Sequence, residues 1–168
     1  HACVAAMRRD HIGYGSMIAG GINHFSWRLA VRLSVWSILS VVIGALVFGI
    51  LDSPLLRGVA LQAIAWGAVD LLIAGFAWVR SVRRSGEPPD EGREVGETVR
   101  LRKLLRVNAG LDVVYCLAGA AIALIWWSNR FVLGNGIGVI IQGLFLLIFD
   151  LFHARALPAE PPPWYDPA

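Results

Sequence analysis

Cysteine and charged residues are scarce in this sequence, and each shortage excludes a class of protein. The two cysteines, Cys3 and Cys116, are too few for a disulfide framework or a zinc site. Only 16% of the 168 residues are charged, whereas soluble domains carry about 25%. The charges are also segregated along the chain, so the net charge of +3 does not indicate a nucleic-acid-binding protein.

Signatures of enzymes and metal centres are missing as well. The sequence has no CxxC, HExxH, GxSxG or Glu-x-x-His motif. Of its histidines only His153 lies beside a long apolar stretch, which excludes a buried histidine pair for haem. The spacing of His1, His11 and His24 is not that of a metal site. We therefore predict no cofactor, no metal and no catalytic residue.

What the sequence has in abundance is apolar residues. They make up 57% of the chain, and the mean hydropathy is +0.62. Four stretches, at residues 29–51, 59–79, 107–127 and 131–152, reach the ~20 residues that a helix needs to cross a bilayer. The sequence therefore predicts an all-α integral membrane four-helix bundle at residues 27–156. An N-terminal cytoplasmic segment at 1–26 precedes it, and a proline-rich tail at 157–168 follows it.

The connections predict how the spans are joined. The turn at 52–54 and the short connection at 128–130 make successive spans antiparallel neighbours. The long connection at 80–103 is rich in Gly, Pro and mixed charges. We interpret it as a solvated cytoplasmic linker, with a short exposed helix from Glu91 to Lys103 as the alternative. The tail is expected to be extended or disordered.

The basic residues predict the orientation. All but two of the 15 basic residues lie before or at the start of the first span, in the central connection or at its edges, or after the fourth span, and the exceptions are Arg57 and Arg130. By the positive-inside rule, both termini and the central connection are expected in the cytoplasm. We place the chain in a bacterial inner membrane.

Three acids interrupt the apolar spans. Asp70 lies near the middle of the second span, Asp112 about two turns into the third and Asp150 near the end of the fourth. An ionised carboxylate at the centre of a bilayer costs roughly 2.5–3.5 kcal/mol or more, so these acids are expected to turn towards one another. Other polar or aromatic side chains share their helix faces. The predicted site is a cytoplasm-facing pocket, and its members are Asp70, Asn108, Asp112, Tyr115, Gln62, Trp66, Gln142 and Asp150.

Two further patterns concern helix packing. Gly134 and Gly138 form a GxxxG face, which permits close contact between membrane helices. Gln62 and Asp70 are separated by eight residues, as are Gln142 and Asp150. This match predicts two hairpin repeats around a pseudo-two-fold axis along the membrane normal.

Three classes of function fit a polar interior of this kind. The first is a non-enzymatic membrane protein, either a small-solute or proton-linked transporter or a subunit of a membrane complex, and four spans favour a homodimer. The second is a membrane enzyme acting on a lipid or quinone. The third is a structural accessory subunit, in which the acids only bond neighbouring helices. The lipid bilayer is the one partner common to all three.

Three segments carry a family resemblance, and they are WGAVD in the second span, NAGLDVVY in the third and IQGLFLLIFDLFHA in the fourth. They resemble an uncharacterised family of small bacterial four-span membrane proteins, classed as a domain of unknown function. The resemblance covers roughly Ser26 to Ala156. It implies a fold and a location, and it implies no activity.

Overall fold

Four long helices make up most of the computed structural model, which describes residues 21–84, 86, 90–163 and 165. They are α1 (Gly21–Ile50), α2 (Pro54–Arg84), α3 (Glu91–Ile125) and α4 (Arg130–Arg155). Each is long and apolar enough to cross a membrane, and no strand occurs among the described residues. The predicted all-α fold is confirmed, and its four long apolar helices equal the predicted spans in number.

Short polar signals fix the helix ends. α2 starts at Pro54, whose ring suits the first turn of a helix. The Asn129 side chain caps α4 by accepting from Phe131 N and Val132 N, both at 3.2 Å. These caps allow connections of only a few residues, so successive spans return antiparallel.

The burial pattern is inverted relative to a soluble protein. Apart from Leu33, the buried residues within the spans are small or polar, such as Ser37, Gly67 and Asp70, while most large apolar side chains point outward. Phe76 is 78% exposed and Leu124 is 76% exposed. Since exposing such side chains to water is costly, this surface is suited to hydrocarbon.

The bundle consists of two antiparallel hairpins. α1 packs along α2, α3 packs along α4, and α2 and α4 form the main contact between the hairpins. Gly134 and Gly138 lie on that contact, which confirms the predicted GxxxG face. A Cβ atom at Gly134 would overlap the Leu55 carbonyl oxygen, and one at Gly138 would be 2.7 Å from Gln62 Cβ. We call this contact the α2–α4 seam, and Gly58 lies on it from the α2 side.

The beginning of α3 differs from the preferred prediction of a solvated linker. Residues 91–103 are helical and continuous with the third span. Asp90 caps this helix by accepting from Gly92 N at 3.1 Å and Arg93 N at 3.4 Å. Val95 and Thr98 are buried on the inner face of this segment. The linker interpretation is wrong here because it weighed the charges and overlooked the capping residue and the apolar stripe.

The tail also differs from the expectation of a free extended segment. Leu157 is buried in a cluster with Ile22, Leu105 and Ala154. Arg102 of α3 donates to the carbonyl oxygens of Ala154, at 3.4 Å, and Ala159. These contacts hold the described part of the tail against α3. Of the predicted N-terminal segment, residues 21–26 begin α1, and the rest, with Cys3, His1 and His11, lies outside the described residues.

Candidate functional site

The interior of the bundle holds three carboxyls, one from each of three helices. Asp70 of α2 is 2% exposed, Asp112 of α3 is 4% exposed and Asp150 of α4 is 7% exposed. Asp112 lies within electrostatic range of both others, and Asp150 also lies within range of Asp70. The sequence prediction that these acids turn towards one another agrees with this geometry. We refer to them as the carboxyl triad.

The triad is only partly satisfied by hydrogen bonds. The Asn108 side chain, one turn before Asp112 on α3, lies close enough to interact with the Asp150 carboxyl. Oδ2 of Asp70 and Oδ2 of Asp112 are buried and have no hydrogen-bond partner among the described residues. Buried polar atoms are almost always paired, so two orphaned oxygens in one cluster call for an explanation.

Small residues make room for the triad. Gly143 of α4 lies against Cys116 of α3, and a Cβ atom there would be 2.8 Å from the Cys116 sulfur. That sulfur is 3.9 Å from the Ile140 carbonyl oxygen. The close approach of α3 to α4 brings Asp112 near Asp150, while the α2–α4 seam brings Asp70 near Asp150.

Two aromatic side chains from the predicted site form a separate pair. The Trp66 and Tyr115 rings meet edge to face, with centroids 4.9 Å apart and planes inclined by 67°. We call the end of the bundle that carries Arg80, Arg84 and Arg100 the basic end. Each ring is about one turn from a triad acid along its own helix, on the side away from the basic end. Tyr115 is 38% exposed. This pair joins α2 to α3 next to the triad.

The two glutamines bond elsewhere. The Gln62 amide donates to Asn135 Oδ1 at 2.7 Å across the α2–α4 seam. Gln142 accepts from the Trp36 indole N–H at 3.1 Å. Of the eight predicted site residues, four lie together (Asp70, Asn108, Asp112 and Asp150), two form the aromatic pair, and the glutamines fix helix packing.

Sequence reasoning missed the partners that tie α1 to α4. Trp36 stacks on Phe145 at 3.7 Å between centroids, besides its bond to Gln142. His153 contacts the Phe149 carbonyl oxygen through Nδ1 at 2.7 Å and Arg32 through Nε2 at 3.0 Å. Because Arg32 can only donate, Nε2 accepts and Nδ1 carries the proton. The one sequence signal for these contacts was Trp36 itself, because its indole combines a large apolar ring with an N–H donor.

A cavity of about 400 Å³ lies between α1, α2 and α3 at the basic end of the bundle. Its walls begin at Ile73, one turn from Asp70, and at Leu104, one turn from Asn108. None of the triad carboxyls lines it. The triad and the cavity are therefore neighbours, with the cavity nearer the basic end.

The donor set of the triad favours protons over metal ions. No group of three or more His, Cys, Asp or Glu side chains among the described residues is arranged to hold a metal ion. Carboxyls that are buried together repel one another when ionised, so they bind protons in preference to remaining charged. The arrangement can therefore take up and release protons within the membrane.

A family model described as "Family of unknown function (DUF6992)" matches residues 32–151 of the chain. The match includes all three triad acids and the larger part of each of the four helices. No curated protein matches the chain, and no solved structure matches it.

Proposed function

The chain belongs to the DUF6992 family, whose function is unknown, and from this premise we propose that it couples proton binding by the carboxyl triad to movement of a small solute across the membrane. In this proposal the chain is a multi-pass protein of a bacterial inner membrane. Its basic end, with both termini, faces the cytoplasm because of the distribution of arginines.

One observation carries the proposal, namely the convergence of three buried acids with two unpartnered oxygens. An acid that only stabilises helix packing gains about 0.6 kcal/mol from a membrane hydrogen bond. Asp70 and Asp112 each leave one oxygen without even that bond among the described residues. An intramembrane acid is a functional-site candidate by default, and the unpartnered oxygens of Asp70 and Asp112 favour proton exchange over a purely structural role.

The position of the triad supports access from the basic end. Ile73 and Ala77 follow Asp70 on the same face of α2, and they line the cavity that leads towards Arg80 and Arg84. From Asp70 to Arg80 the helix rises about 15 Å. Proton exchange is therefore expected from the cytoplasmic side. Because four spans enclose little space, we propose a homodimer as the working unit.

Proton binding is tested by infrared spectroscopy of the purified protein over a range of pH. Wild type is expected to show a protonated-carboxyl band that titrates, and Asp70→Asn and Asp112→Asn should each reduce it. Asp52→Asn is the matched control, because the Asp52 side chain is 96% exposed in a turn. A band that is unchanged in both interior variants would exclude the triad as the proton-binding group.

Transport is tested with proteoliposomes that enclose a pH-sensitive dye. A low-molecular-mass extract of bacterial cells is added outside, and the proposal expects a protein-dependent pH change inside. Asp112→Asn should abolish the change, and Asp52→Asn should not. If Asp70→Asn and Asp112→Asn both fail to fold in detergent, the acids have a structural role and the proposal fails.

A further inference from the structure

We propose that the cavity between α1, α2 and α3 binds an anionic phospholipid, with its phosphate between Arg80 and Arg100 and the start of its acyl chains along the apolar walls. The cavity has a volume of about 400 Å³. This lies within the usual range for ligand sites. The site is separate from the carboxyl triad, although its cavity is the one proposed above for proton access, and lipid binding there does not depend on the transport function.

The cavity changes from polar to apolar along the membrane normal. At its outer end, Arg84 of α2 forms an ion pair with Glu97 of α3. One turn further in, Arg80 and Arg100 line the cavity from opposite helices. Beyond them the walls are apolar and include Phe76, Ala77 and Leu104. This order matches a phospholipid, whose charged group adjoins the chains.

The charges at the level of Arg80 and Arg100 are uncompensated. Since α2 and α3 are antiparallel, the Arg84–Glu97 pair sets their register, and one turn inward brings Arg80 level with Arg100. Both side chains are exposed, and neither forms an ion pair with any described residue. Two guanidinium groups facing one cavity repel each other, and a phosphate between them removes that repulsion.

The cavity is also open towards the surrounding lipid. Ile73 is 55% exposed, Phe76 is 78% exposed and Leu104 is 50% exposed. α2 and α3 make little backbone contact with each other, so a gap remains between them. From Arg80 to Ile73 the apolar wall is about 10 Å long. The rest of each acyl chain would continue into the bilayer through this gap.

The test is native mass spectrometry of the full chain in detergent, titrated with phosphatidylglycerol or with phosphatidylcholine of the same acyl chains. Tighter binding of phosphatidylglycerol is expected. The variant Arg80→Gln with Arg100→Gln should weaken that binding by about tenfold or more. Arg83→Gln with Arg106→Gln removes the same charge from the same two helices outside this cavity, and it should bind like wild type.

A second variant tests the apolar wall. Ala77→Phe places a large ring in the cavity and should weaken phosphatidylglycerol binding, whereas Ala68→Phe, on an exposed part of α2, should not. Each variant is checked for its unfolding temperature. Equal affinity for the two lipids, or equal binding of glycerol phosphate without acyl chains, would overturn the proposal. Full phosphatidylglycerol binding by the variant lacking Arg80 and Arg100 would also overturn it.

Discussion

Asp70 of α2 and Asp112 of α3 lie within range of each other's charge, although their helices make little backbone contact. Each has one buried oxygen without a partner among the described residues. The side-chain contacts that join α2 to α3 include the Trp66–Tyr115 ring pair and, at the basic end, the Arg84–Glu97 ion pair.

The first prediction concerns the pH dependence of stability. Asp70→Asn replaces one acid of the triad by a neutral group of nearly the same shape. Below the ordinary pKa of an aspartate, about 3.9, the acids are protonated in the folded and the unfolded chain alike, so the variant and wild type should unfold at similar temperatures. As pH rises, ionisation adds repelling buried charges to wild type only, and the variant should become the more stable protein.

This is measured by thermal unfolding in detergent, followed by circular dichroism at several pH values. Asp52→Asn serves as the control, because Asp52 forms only an exposed ion pair with Arg57 at 2.9 Å. Its unfolding temperature should track that of wild type across the series. Parallel curves for Asp70→Asn and wild type would contradict the prediction.

The second prediction concerns the α2–α4 seam. Gly134→Ala should destabilise the bundle by on the order of 1–3 kcal/mol, since the new methyl group meets the Leu55 backbone, which cannot move aside independently. Gly110→Ala is the matched control on α3, where nothing lies within 4 Å of the added Cβ. Equal unfolding free energies for the two variants, measured by denaturant titration, would rule out a tight seam.

The third prediction separates the two contacts of Trp36. Trp36→Phe removes the hydrogen bond to Gln142 but retains a ring against Phe145, so it should cost only about 0.6 kcal/mol. Trp36→Ala also removes the stacked ring and should cost about 3 kcal/mol or more. Denaturant titration of both variants measures the difference. A loss from Trp36→Phe as large as that from Trp36→Ala would show that the hydrogen bond dominates.

The fourth prediction concerns the cap of α3. Asp90→Ala should destabilise the first turns of α3 by about 1 kcal/mol, because two backbone N–H groups lose their acceptor. Hydrogen exchange should become faster near Glu91 and stay unchanged near Ile125, at the far end of α3. Glu160→Ala, an exposed change in the tail, is the control. If hydrogen exchange near Glu91 is no faster in Asp90→Ala than in Glu160→Ala, Asp90 does not stabilise the start of α3.

The sequence predicted the spans and the meeting of the acids because both follow from the cost of placing polar groups in hydrocarbon. That cost acts on Asp70 wherever its neighbours lie, so hydropathy alone indicates that it faces inward. The pairing of Gln62 with Asn135, in contrast, depends on how α2 is rotated against α4. A helical period gives the face of one helix and not its angle to the next.

The helical start of α3 was only the alternative prediction, for a related reason. Residues 91–103 carry many charges, and the contacts of Arg102 with the tail join parts of the chain that lie far apart in sequence. Composition records the charges and not these contacts. The cavity between α2 and α3 was equally inaccessible, since it arises where two helices fail to pack.

The α2–α4 seam has a mechanical consequence. Gly58, Gly134 and Gly138 bring the backbones of α2 and α4 into close contact there, so the seam sets the angle between the two hairpins. A change in that angle would alter the gap between Asp70, in one hairpin, and Asp112, in the other. When the two acids move apart, ionising both of them costs less free energy. When they move closer together, a single proton shared between them is favoured. Hairpin angle and proton occupancy are thus linked variables, and changing either one shifts the other.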